Sequence, residues 1–153
     1  MSGELDDWVR TLTGGYVTEV KIVLTSIVAS LAVYQVFLMA VGYGKLRLPF
    51  LNSRAASMAH RTVGDTIVPI TLLVGLMCLA YFEIQDGIEH ARPGEQGRVL
   101  LHVIVGFLLI AAITFKIIVV RWWHRLGRYL PIFGLTVFAL FVLTWLTSSA
   151  AYL

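Results

Sequence analysis

Four apolar runs, each about the length of a membrane crossing, leave this chain little choice of fold. A hydrocarbon core of ~30 Å takes ~20 apolar residues of helix. Inside lipid, every backbone N–H and C=O has to be bonded within the segment itself or a closed barrel. Such runs lie at about 17–43, 54–82, 98–123 and 131–149. Short polar connections separate them, so consecutive helices run antiparallel. The expected fold is therefore all-α: an integral membrane four-helix up-and-down bundle, a single transmembrane domain over residues 1–153. Composition agrees. Hydrophobic residues make up 58% and charged residues 14%, where a soluble domain carries ~25% charged. With four crossings drawn from 153 residues, no separate soluble domain fits.

The punctuation between runs is of the kind that ends and starts helices. Residues 1 to about 15 read as a polar lead, with Gly14-Gly15 as a break and Trp8 and Tyr16 as interfacial aromatics. Its acidic start (Glu4, Asp6, Asp7) is unlike the basic start of a secretory signal, so the first run reads as a retained helix. Gly44 to Pro49 end the first run, and Asn52 or Ser53 suits the cap of the second. Pro69 lies inside the second helix, where it removes a donor and frees a carbonyl. Pro131 fits the first turn of the fourth helix. The lone cysteine, Cys78, sits in an apolar run, and there is no CxxCH for covalent haem attachment.

Charge orients the bundle. The first connection carries Lys45, Arg47, Arg54 and Arg61 with no acid before Asp65, and the third carries Arg121, Arg125 and Arg128 with none. The second mixes Arg92 and Arg98 with Glu83, Asp86, Glu89 and Glu95. The positive-inside bias puts the first and third connections in the cytoplasm and both termini on the outer side of a multi-pass cell-membrane protein. The net charge of +3 is thus a topology signal and does not point to nucleic acid.

Two similar turns carry the chemistry. Met58-Ala59-His60-Arg61-Thr62-Val63-Gly64 and Leu101-His102-Val103-Ile104-Val105-Gly106 each set a glycine four residues after a histidine at the mouth of an apolar run. Residues i and i+4 share a helix face, so each imidazole has a bare patch of backbone beside it where a flat group can lie. Imidazole is a common axial ligand of haem iron, and Arg61 is placed to pair with a propionate. His60 and His102 begin antiparallel helices. They should lie ~25–30 Å apart in depth, too far to share one iron. Same-side pairs are the candidates: His60 with His124 at the cytoplasmic end, His102 with His90 at the outer end. Carried along one helix, His102 and His124 are about 40° apart around the axis, with Gly106 and Lys116 near the same stripe. That face is expected to point inward. The plainer readings put His124 in an interfacial belt with Trp122 and Trp123, and His90 in a solvated connection.

Asp65 and Lys116 are charges within apolar runs, a placement that is costly unless paired or functional. An ion pair between the second and third helices, snorkelling of Lys116, and proton transfer through Asp65 all fit. Tyr34 and Gln35 add polar groups inside the first helix.

Ser57-Met58-Ala59-His60-Arg61-Thr62-Val63-Gly64 resembles the Ser-x-x-His-Arg-x-x-Gly element of the cytochrome b anchor subunits of succinate dehydrogenase, and His102 to Gly106 resembles the His-x-x-x-Gly that carries a haem ligand there. In that family the first element lies at the quinone and haem-propionate end of a helix. Those anchors usually have three helices. The count of four resembles the bacterial cytochrome b561 group, which passes electrons from quinol through b haems. That group also places ligands on its first and last helices. Here those two helices contain no histidine, so its ligand scheme does not carry over. The resemblance implies one or two haem b groups, a quinone partner, and an electron-transfer subunit of a larger redox complex more than a complete enzyme. Other membrane subunits or a second copy would supply any missing ligand. The alternatives are a cofactor-free accessory or assembly subunit, with the glycines serving helix packing, and a small proton-coupled transporter using Asp65 and Lys116.

Overall fold

The computed structural model describes residues 2–81 and 94–148. It contains α1 (Ser2–Thr13), α2 (Val17–Gly42), α3 (Ser53–Tyr81), α4 (Gln96–Arg121), a 3-10 turn (His124–Tyr129) and α5 (Leu130–Ser148). Helices α2 to α5 include four spans long and apolar enough to cross a membrane. The protein is an all-α, multi-pass membrane bundle.

Helix ends follow from local chemistry. At the end of α2, Gly44 takes φ 68°, and the Lys45 N–H reaches back to the Ala40 carbonyl (2.9 Å) while the Gly44 N–H bonds Val41 (2.9 Å). This is the Schellman arrangement, which needs a residue free to adopt left-handed φ. Asn52, not Ser53, caps α3: its Oδ1 accepts from the Ala55 N–H at 2.8 Å. Ser53 instead donates its hydroxyl to the Val41 carbonyl at 3.3 Å, tying the start of α3 to the end of α2.

The N-terminal lead departs from the sequence expectation. Gly14 and Gly15 end a helix there; they do not prevent one. Gly14 (φ 59°) and Gly15 (φ 88°) close α1, and the Gly15 N–H bonds the Arg10 carbonyl at 3.0 Å. Burial of Val9 against Val17 and Met77 holds α1 to the bundle, while Trp8, Leu12 and Tyr16 stay exposed. A short helix of this kind, apolar on two sides and attached at a span's end, suits the membrane interface.

The central core gathers one or two residues from each span: Val28 and Ala32 (α2), Ile67 (α3), Leu109 (α4), Val137 and Phe141 (α5). Outward positions such as Val23, Leu73, Phe107 and Leu143 are exposed apolar groups, as lipid-facing positions must be. Helix α2 packs along α3 and α5, and α4 packs along α5, whereas α3 and α4 meet only thinly. The neighbour order is therefore α3–α2–α5–α4.

Small residues permit the close contacts. A Cβ on Gly42 would lie 3.2 Å from Ser57 Oγ, and one on Gly134 3.4 Å from Met39 Sδ. In lipid, where apolar surface gains little from association, such close backbone approach is what holds helices together. The indole Nε1–H of Trp145 donates to Ser26 Oγ at 3.1 Å, a polar fastening between α5 and α2.

The continuous stripe expected from His102 to His124 stops short. Helix α4 ends at Arg121, with the Trp122 N–H bonded to the Ile118 carbonyl at 2.8 Å. His124 falls in the 3-10 turn, so the rotation per residue of α4 does not carry to it. The inward stripe of α4 is His102, Val105, Leu109, Ala112, Lys116 and Val119, buried or half-buried throughout.

Candidate functional site

His60 lies on the inward face of α3, half-buried against α2. Its partner is Gln35, and the contact runs both ways. The Gln35 side-chain amide donates from Nε2 to the His60 backbone carbonyl at 2.8 Å. His60 Nδ1 stands 3.3 Å from the Gln35 backbone carbonyl. A carbonyl oxygen only accepts, so Nδ1 carries the hydrogen and neutral imidazole keeps its lone pair on Nε2.

His102 is fixed in the same sense by a different helix. Its Nδ1 lies 3.0 Å from Thr147 Oγ1 on α5. That hydroxyl already donates its one hydrogen to the backbone, with the Leu143 carbonyl 2.8 Å away. With its hydrogen given there, the hydroxyl accepts from His102 Nδ1–H, and in that tautomer the lone pair falls on Nε2. Neither Nε2 has a hydrogen-bond partner among the described residues, and no buried side-chain nitrogen or oxygen there lacks one. Both lone pairs therefore reach the surface of the bundle. An imidazole whose Nδ1–H is held by an acceptor is the usual form of a metal-binding histidine.

The two histidines occupy opposite ends. Gln35, at His60, and Ser26, bonded to the Trp145 two residues before the Thr147 that holds His102, are 9 positions apart on α2, or ~14 Å along its axis. Gln35 and Lys21 are also what inspection of the sequence missed. Gln35 was visible only as a polar residue without a named partner. Lys21, 8% exposed, is a buried cation one turn inside α2. Tyr34, by contrast, faces out and stacks on Phe37 at 6.0 Å.

The glycines differ. A Cβ on Gly64 would lie 3.4 Å from Gln35 Nε2, so the bare backbone beside His60 is taken up by Gln35 and is not left for a flat ligand. A Cβ on Gly106 would meet nothing within 4 Å among the described residues. Among the described residues nothing fills the notch beside His102, on the half-buried face of α4. Arg98, one turn earlier, donates from Nη1 to the Thr147 carbonyl at 3.1 Å and approaches Glu95 Oε1 at 3.6 Å.

Other expected site residues separate. Arg61 and Asp65 lie on the exposed face of α3, away from the His60 side. Arg61 is thus not placed to pair with a group held at His60; Lys116 is the cation on the inward stripe of α4. No ion pair joins Asp65 to Lys116, because one faces out from α3 and the other in from α4. His90 lies outside the described residues, and His124 is placed only by its backbone in the 3-10 turn. Among the described residues, no group of three or more His, Cys, Asp or Glu could hold a metal ion; a haem, whose ring fills four positions itself, asks for one or two.

A sequence model covering residues 8–153 matches nearly all of this architecture. The chain belongs to the DUF6529 family. That family is described as one of unknown function. No curated protein and no solved structure matches the chain.

Proposed function

We propose that this member of the family is a b-type haem-binding membrane subunit that passes electrons, with quinone as exchange partner, within a larger redox complex. The observation that carries the reading is the state of the two imidazoles. Each has its Nδ1 against an oxygen on a neighbouring helix, and each leaves Nε2 without a partner among the described residues. That is the preparation an axial iron ligand needs. The end at His102 fits the group better. It offers, among the described residues, the open notch at Gly106 for a flat ring and Arg98, one turn before His102, for an anionic substituent. His90 or a histidine of another subunit would supply the other iron ligand. Following the charge bias, we place this end on the outer side of the cell membrane and the basic connections in the cytoplasm.

The test is optical. Protein purified after expression with ample haem should show a reduced-minus-oxidised b-type band, abolished or strongly reduced in His102→Ala. His60→Ala should alter it less. A colourless preparation rejects the proposal.

One observation favours a second reading at the other end. Gln35 fills the Gly64 notch and fastens His60 to α2, as expected of a packing element in a cofactor-free accessory subunit. Under that reading His60→Ala lowers stability and leaves every spectrum unchanged. A proton-coupled transporter would respond to Asp65→Asn in flux across sealed vesicles.

A further inference from the structure

Helix α3 has an outward face that lipid alone does not suit. Met58, Thr62, Asp65, Pro69, Leu72, Leu76 and Leu79 are all exposed. They recur at alternating steps of four and three, the spacing of a coiled-coil seam. The half toward Leu79 is leucine. The half toward Met58 is polar, with Arg61 and Thr66 flanking Thr62 and Asp65.

Asp65 is the critical residue. It lies roughly 18 Å along the axis from Ser53 and roughly 24 Å from Tyr81, near the middle of the span. Its carboxylate has no hydrogen bond or ion pair among the described residues. Pro69, four residues on, also deprives the Asp65 carbonyl of its helical donor. Two acceptors, one of them charged, thus sit together at mid-membrane depth on an exposed face. The neighbouring hydroxyls do not supply a donor: Thr62 Oγ1 gives its hydrogen to the Met58 carbonyl and Thr66 Oγ1 to the Thr62 carbonyl. Exposed intramembrane acceptors of this kind are costly unless another polypeptide meets them.

From this face we infer that the protein is a two-fold dimer in the membrane, with α3 of each copy packed on α3 of the other. The occupant follows from charge and orientation. All copies insert the same way, so the pairing symmetry axis runs along the membrane normal and residues of equal depth meet. Asp65 then faces its counterpart's level. The counterpart's Arg61, one turn away on the same face, is long enough to reach it. Its five donors match a carboxylate and a freed carbonyl together. The symmetry repeats the contact, giving two such pairs from one self-complementary face. A partner of different sequence would have to present both a cation for Asp65 and an anion for Arg61, which a second copy already does. The leucines pack along the rest of the interface. The inference stands on α3 alone and does not depend on haem.

Single cysteines introduced into a Cys78→Ala chain in intact membranes test it. Oxidation of Thr62→Cys, Leu72→Cys and Leu76→Cys should each give a product at twice the 17.0 kDa of the chain, and Leu135→Cys on exposed α5 should not. Asp65→Arg alone and Arg61→Asp alone should each lower the cross-linked fraction about tenfold, and the double exchange should restore it. No doubled product from any α3 position overturns the inference, as does equal cross-linking through Leu135→Cys. A product joined to a different protein, or a double exchange no better than either single change, overturns it too.

Discussion

The two histidine–glycine turns share a spacing and differ in what their neighbours do with it. At His60 the notch made by Gly64 receives the Gln35 amide from α2. At His102 the notch made by Gly106 receives nothing described. The cause is the neighbour order. Helix α3 lies along α2, so a side chain is at hand to fill the first gap, whereas α4 packs along α5 and no described side chain reaches the Gly106 notch. A glycine one turn after a histidine therefore creates a space, and the packing partner decides whether it serves structure or binding.

The sharpest way to break this contrast is to fill both notches. Gly64→Leu must displace Gln35 and should destabilise the fold by ~1–3 kcal/mol, the usual cost of overpacking. Gly106→Leu should shift stability by less than ~0.5 kcal/mol, as at other unpacked positions, while removing the b-type band. Unfolding in detergent followed by tryptophan fluorescence, with haem spectra alongside, reads both; equal destabilisation would end the distinction. Next in size is Gln35→Ala. It empties the Gly64 notch and removes the bond to the His60 carbonyl, for a loss of ~1 kcal/mol in the same assay. Thr147→Val should cost ~0.6 kcal/mol, typical of a hydrogen bond between membrane helices. Its stronger signature is spectroscopic, since His102 loses the acceptor that sets its tautomer. Smallest is Ser26→Ala, at about half a kcal/mol, which touches neither histidine. It should leave any haem spectrum alone, and a spectral change there would mean that the α2–α5 contact reaches the site.

Much of the fold was legible because lipid permits so few solutions. Apolar length located the spans, and glycine, asparagine and proline located their ends: Gly44, Asn52 and Pro131 sit at helix termini as their chemistry suggests. Helix α1 escaped because the glycine pair reads as a breaker whether or not a helix precedes it. The site was legible in kind and not in arrangement. That His102 and Lys116 face inward follows from their spacing along α4. That Gln35 bonds His60, 25 residues away on another helix, and fills the notch beside it depends on rotation about two axes, which spacing does not encode. The same limit applied to Arg61. Its adjacency to His60 in sequence suggested a shared site, yet one step along a helix turns ~100° and carries it onto a different, exposed face.

The neighbour order has a consequence for how the chain can be assembled. Since α3 and α4 scarcely touch, the bundle is two hairpins, α2 with α3 and α4 with α5, joined through the α2–α5 contact at Trp145, Ser26, Gly134 and Met39. Each hairpin presents a complete pair of spans to the bilayer, and the joint between them needs no continuity of chain. A gene split between the codons for residues 81 and 94 should therefore yield two fragments that find each other in the membrane.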